Sequence, residues 1–495
     1  PIERENASAI FNSVNGVLKQ KDSDIFPNGV SIFTGFIPKG TFLYHSGRGF
    51  PTNPEWIAFD YEFSYNFGSY GDHDEEFNGT VLYTFITKKA LNKVLILDGA
   101  SAAKTTTGEM DSQVLLSKLP TNTSGWKERE MAERICEWGE KEFNGLDGII
   151  RLEIGFEMIV CNFKSDKIEL ISQTKFIEPK ELLDFPIDEE ERRGEEEKEK
   201  EKKEFEVGKR NELFDGVKLN DTRDEIYQEL ITMAGYEHYK AGSIHYNGDV
   251  RVMIDFRGFV TGINRGYLNP DEYVRRLNDL EEKERNDMVN ELSTILKRNQ
   301  NLINYLDGTN WQTVTGLIIE KFYPILGILN QTYENYYEKT SGIDINKMDI
   351  FARNVSKYTF NFYRRYIDSN IKGLETRRAT ALRDAVFDYS HPYQTIQSES
   401  DLLIWSSISE ISKLIISEVF SSFELSKEML WSSYVSEDPG NPERLQKFNE
   451  NILSSRKGMN SLLSLLNWSA YYQCEQKCPL NSLCFVPTWG PSPLG

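Results

Sequence analysis

The hydrophobic period of this chain changes once, near Asp271, and that change constrains the fold more than any motif does. From about Gly29 to Ile177, short β-type runs are separated by Gly, Asn and Pro. The runs are Val30–Thr34, Thr41–His45, Val81–Ile86, Lys93–Leu97, Gly148–Glu153, Glu157–Phe163 and Ile168–Ile171. Helices are expected within this half at Ser8–Gln20, Tyr61–Gly68 and Glu128–Glu142. From Asp271 to about Tyr472 the period becomes helical, predicting helices at 271–298, 311–338, 346–372, 374–387, 400–436 and 442–471. The clearest stripe is Leu402, Leu403, Trp405, Ile408, Ile411, Leu414, Ile415 and Val419, which reads as core. The fold class is therefore α+β: an N-terminal mixed α/β domain followed by a mainly helical C-terminal domain.

The boundaries follow from composition. Residues 1–187 form the N-terminal domain. Residues 188–210 form a charged exposed loop, because Asp188–Glu204 has no apolar side chain to bury. Residues 211–268 carry a helix at Ile226–Ala234 and a hairpin over Ser243–Phe256 turning at Asn247-Gly248, a strong hairpin signal; this unit is expected to return to the N-terminal sheet. Residues 269–472 form the helical domain, and 473–495 a Cys- and Pro-rich tail. With 495 residues, 39% of them hydrophobic, the chain has material for two or three cores.

Cysteine usage speaks to compartment. Cys474, Cys478 and Cys484 crowd a tail too rich in Pro for a helix, and disulfide pairing in an oxidising compartment would order it. Five cysteines leave at least one thiol unpaired or pairing between chains; Cys136 with Cys161, plus one bridge in the tail, is the expected set. Buried reduced cysteines of a cytosolic protein are the alternative. Sequons at Asn6, Asn78, Asn122, Asn220, Asn330, Asn354 and Asn467 are candidate glycan sites. Pro1 in place of an initiator Met is what removal of a signal peptide would leave, and no stretch is apolar enough to span a bilayer. A secreted or extracellular location is expected. A net charge of −20 argues against nucleic-acid partners and anionic membranes, leaving small molecules or extracellular proteins and glycans.

Three blocks carry a resemblance: Asp98–Gln113, Ile135–Gly139 with Gly145–Glu157, and Cys484–Gly495. They resemble a family of fungal secreted or cell-surface proteins with no established activity. The resemblance implies secretion and fungal origin and transfers no catalytic residue. In a fungal secretory pathway, Arg192-Arg193 and Lys209-Arg210 in the exposed loop suit a processing protease, so cleavage after Arg193 or Arg210 is expected.

The order of Tyr44-His45, a short strand at Trp56, the helix at Tyr61 and the strand at Val81 is similar to the core of ADP-ribosyltransferases. That resemblance implies an NAD site: His45 on a ribose hydroxyl, Tyr61 or Tyr65 stacked on nicotinamide, and Glu153 or Glu157 stabilising the oxocarbenium. The competing reading is a structural His45 satisfied by a neighbouring carbonyl. A second candidate is the Gly99–Gln113 segment, where Lys104, Glu109 and Asp111 could contact phosphate or sugar with the carboxylates as acid and base. The plainer reading there is a packed structural loop. It lacks the Gly-Lys-Ser/Thr ending of a phosphate-binding loop.

The five histidines include no pair at metal-ligand spacing, so no metal is expected, and no Gly-X-Ser-X-Gly elbow offers a serine nucleophile. Two functions remain: a secreted enzyme with an NAD-like or sugar-phosphate cleft at His45, or a non-catalytic extracellular or cell-wall interaction protein. Convergence of His45, a tyrosine and a glutamate would favour the first; a buried, internally satisfied His45 would favour the second.

Overall fold

The computed structural model describes residues 2–19, 29–69, 80–100, 108–120, 122–124, 127–152, 156–175, 249–299, 307–339, 343–392 and 394–472. Among them a nine-stranded mixed sheet forms from β1 (Ser31–Ile37), β2 (Phe42–Gly47), β3 (Glu55–Ala58), β4 (Val81–Thr87), β5 (Leu91–Ala100), β6 (Gly148–Leu152), β7 (Phe156–Val160), β8 (Ile168–Lys175) and β9 (Met253–Thr261). Its order is β8-β4-β2-β3-β7-β6-β5-β1-β9. All neighbours are antiparallel except β5 and β6. That pair is parallel because α3 (Asp111–Ser117) and α4 (Glu128–Phe143) connect it as a crossover.

Each strand expected between Val30 and Ile171 is present, and β9 joins the N-terminal sheet beside β1. The Asn247-Gly248 turn and the first arm of its hairpin lie outside the described residues. So do Ile226–Ala234, the loop 188–210 with Arg193 and Arg210, and the cysteine tail.

The helical part begins with α1 (Arg4–Gly16) and α2 (Tyr61–Ser69) in the N-terminal half and continues with α5 (Glu282–Asn299), α6 (Trp311–Lys339), α7 (Ile345–Tyr366), α8 (Leu374–Ser390), α9 (Glu399–Val435) and α10 (Pro442–Leu466). Their starts follow capping chemistry. Asp344 accepts the amides of Asn346 and Lys347, the Ser398 hydroxyl accepts that of Asp401, and Asn441 precedes a Pro at the first helical position. No described helix is long and apolar enough to cross a membrane.

Several expectations need correction: the helix expected over Ser8–Gln20 is Arg4–Gly16, that over 346–372 ends at Tyr366, and that over 442–471 ends at Leu466. The helix predicted over 271–298 starts at Glu282, because Asn269 and Asp271 accept the amides of Asp271 and Tyr273, bending the chain locally instead. In α9, Leu402 faces solvent while Ile404, Ile408, Ile411, Ile415 and Val419 are sealed.

Sheet and helices share a continuous core. Ser400 at the head of α9 donates to the Phe259 carbonyl of β9 at 2.8 Å. α1 lies with the C-terminal helices: Ser8 donates to the Leu465 carbonyl at 2.6 Å, and Phe11 stacks on Trp468 at 5.9 Å.

Candidate functional site

Strand register decides the fate of the proposed NAD site. Tyr44 pairs with Ala58, and Ala58 with Glu157, so these three share one sheet face. His45, one residue beyond Tyr44, points to the other face, where it lies opposite Tyr83. His45 and Glu157 therefore do not converge; Glu153, the other carboxylate expected there, lies outside the described residues.

Each is also occupied internally. His45 is 6% exposed, and its Nδ1–H donates to the Trp56 carbonyl at 2.6 Å, an assignment forced because a carbonyl only accepts. Its ring packs between Phe67 and Tyr83 at centroid distances of 5.9 and 6.2 Å. Burial holds its pKa below the ordinary imidazole value, against the opposing pull of that carbonyl. Tyr61 is largely exposed and sits in a chain of rings from Tyr44 to Tyr65 at 6.0 and 6.1 Å. Burial raises the Tyr65 phenol.

Glu157, 1% exposed, accepts Nε and Nη2 of Arg151 at 3.0 and 2.5 Å. The Trp56 indole donates to it as well. Burial pushes its pKa up although Arg151 pulls it down. Arg151, 2% exposed, spends its remaining donors on Gln113 of α3 at 2.9 Å and Glu128 in the first turn of α4 at 2.8 Å. This cluster bolts the crossover helices to the sheet. Sequence reasoning missed Arg151, and the available signal was a lone cation in the apolar run Gly148–Leu152.

The second candidate segment is likewise used for packing. Asp111 accepts Nε and Nη2 of Arg276 at 3.0 and 2.8 Å, and the Leu277 amide at 2.8 Å. Glu109 is buried beside it. Lys104 and Glu153 lie outside the described residues.

Two open clefts stand out among the described residues. One of about 710 Å³ runs past Lys93, Glu137, Asp147 and Lys167 and is walled by the Cys136–Cys161 disulfide, the pairing expected from the sequence. The Lys93 ammonium donates to the carbonyls of Phe143 and Asn144 at 3.3 and 2.7 Å, capping α4, and burial lowers its pKa. The other cleft, about 550 Å³, lies between α6 and α8 beside Leu317, Lys321, Asp388 and His391. Neither contains His45, Tyr61, Tyr65 or Glu157. Among the described residues no group of three His, Cys, Asp or Glu side chains is placed to hold a metal ion.

Comparison with known proteins gives a family and no chemistry. The chain is 33% identical over 543 residues to "Uncharacterized protein YOR389W" of Saccharomyces cerevisiae, covering all of this chain and 83% of that protein. It is 36% identical over 410 residues to "Uncharacterized protein YPL277C" of the same yeast, covering 73% of this chain and 81% of that one. The YPL277C N-terminal domain matches residues 1–81 and 71–301, and the YPL277C C-terminal domain matches 310–437. The chain belongs to the YPL277C family. The N-terminal YPL277C match takes in the whole sheet with its buried Arg151 cluster, and the C-terminal match takes in α6 to α9. No solved structure matches.

Proposed function

We propose that this YPL277C-family protein is a secreted, non-catalytic interaction protein of the extracellular space or cell wall. The observation that carries the reading is the placement of His45 and Glu157 on opposite faces of one sheet, each satisfied by internal partners. A transferase acting on NAD needs these groups at one reacting centre, within hydrogen-bond reach of the substrate. The half-buried Cys136–Cys161 disulfide supports passage through an oxidising compartment.

The test is thermal unfolding with and without millimolar NAD, on wild type and His45→Ala. A ligand that binds only the native state raises the melting temperature by mass action. The expected result is no NAD-dependent shift in either protein. A shift in wild type that vanishes in His45→Ala would overturn the reading and restore the NAD site.

A further inference from the structure

We infer that the exposed face shared by α7 and α9 docks a partner protein through an acidic amphipathic helix. The two helices run antiparallel in contact. Arg353 lies 5.7 Å from the Tyr434 ring and bonds its hydroxyl, the Ser356 and Ser426 hydroxyls meet at 2.7 Å, and Phe360 packs on Phe423 at 5.8 Å. On the outer side, Ile350, Arg353, Lys357, Phe360 and Arg364 recur at helical spacing along α7, and Lys427, Trp431 and Tyr434 do so along α9. Trp431 and Tyr434 are each 67% exposed, and Ile350, Phe360 and Val435 are open as well. Aromatic and arginine side chains gathered on one face are the composition of a binding hot spot.

Charge selects the partner. The chain carries −20, yet α7 bears Lys347, Arg353, Lys357, Arg364 and Arg365 against a single acid, Asp349. Arg353 takes Asp349 at 2.6 Å, and Arg378 takes Glu424. Lys357, Arg364 and Lys427 have no ion-pair partner among the described residues. Within Glu424–Val435, Glu428 is the acid outside such a pair. The Lys357 ammonium and the Arg364 guanidinium lie over the rings of Tyr358 and Phe360, at 5.4 and 5.9 Å from the centroids, holding cations beside apolar surface.

A complementary ligand is acidic and has an apolar stripe. Ile350 and Val435 offer nothing to a sugar or a base, whereas a third helix laid in the groove between two antiparallel ones uses them all. Nucleic acid is opposed by the overall charge. The sequon at Asn354 is turned about 100° from Arg353, away from α9, and lies one turn from Ile350 and Lys357 at the margin of the strip, so the titration uses protein without a glycan there.

This rests on the interaction-protein reading and names its surface and partner chemistry. The probe is a fluorescent synthetic amphipathic peptide with Leu at i, i+3, i+4 and i+7 and Glu at the flanking positions, titrated against the full chain. Its counterpart carries Lys for every Glu. The acidic peptide is expected to bind, the Lys peptide not, and Trp431→Ala to weaken binding about tenfold or more. Lys357→Glu, at another exposed position, should weaken it and flatten its salt dependence. Unchanged melting temperatures confirm that both variants fold.

Equal binding of the two peptides, or indifference to both substitutions, overturns the proposal. So does concentration-dependent self-association that Trp431→Ala abolishes, since the face would then belong to a second copy. The peptide result addresses α7 and α9 alone, and the NAD measurement addresses His45 alone, so either can fail without the other.

Discussion

Arg151 and Glu157 face one another across the β6–β7 ladder, and neither has a path to water. A pair of this kind contributes little net stability as a unit, because desolvation cancels much of the attraction. Its effect is directional: each member makes the other tolerable in the core. Since Arg151 also reaches Gln113 and Glu128, the pair sets where α3 and α4 sit on the sheet.

Removing one member should therefore cost more than removing both. Arg151→Met is expected to lower unfolding stability by about 3–5 kcal/mol, the usual cost of orphaning a buried charge. Adding Glu157→Gln should recover part of that loss. Denaturant titration of the two singles and the double closes the cycle, and additive losses would show that the charges are not coupled.

Glu272 makes stability depend on pH near neutrality. Burial raises its carboxyl pKa to about 7, against the pull of Arg275 and a hydrogen bond from Asn467. A folded-state pKa above the unfolded value means that its contribution is fully present below about pH 4.5 and is lost as pH rises through about 7. Glu272→Gln keeps the acceptor for Asn467 and cannot ionise. Its melting temperature should match wild type at pH 4 and exceed it at pH 8; equal values at both would place Glu272 in an ordinary solvated state.

Much of the fold was legible because its signals are local. The starts of α7, α9 and α10 could be read from the apolar period, and Asp344, Ser398 and Asn441 with Pro442 are the local chemistry that fixes them. The unread parts depend on distant partners. α3 has only seven residues, and Asp111 at its head is held by Arg276, 165 positions away. β3 was expected only as a short strand at Trp56, and its four residues are fixed by pairing with β7. For the site, residue types were readable but parity was not: whether His45 and Glu157 share a face depends on the register of β2, β3 and β7, which no local pattern states.

The disulfide should matter for stability as well as for compartment. Cys136 and Cys161 are 25 residues apart and tie α4 to the residue after β7. Closing a loop of that length restricts the unfolded chain enough to stabilise the fold by about 3 kcal/mol. Cys136→Ser with Cys161→Ser should lower the denaturation midpoint, and a reductant should lower wild type towards the same value. A reductant that leaves the wild-type midpoint unmoved, with both thiols alkylated, would remove the stabilising role.

The sequons divide by accessibility, and the division tests both the fold and the secreted reading. Asn354 stands open on the outer face of α7, and Asn122 is exposed in the connection before α4. Asn330 has its side-chain oxygen buried within α6, and Asn467 closes α10 in a left-handed conformation with its amide committed to Glu272 at 3.1 Å. An oligosaccharide attaches to the amide nitrogen, so a committed or buried side chain is a poor acceptor once the chain has folded. Glycopeptide mass spectrometry of the protein expressed with a secretion signal should find glycan on Asn354 and Asn122 and unmodified Asn330 and Asn467. The reverse pattern would contradict the packing of α6 and α10, and a product with no glycan on any of the four would count against the secretory route.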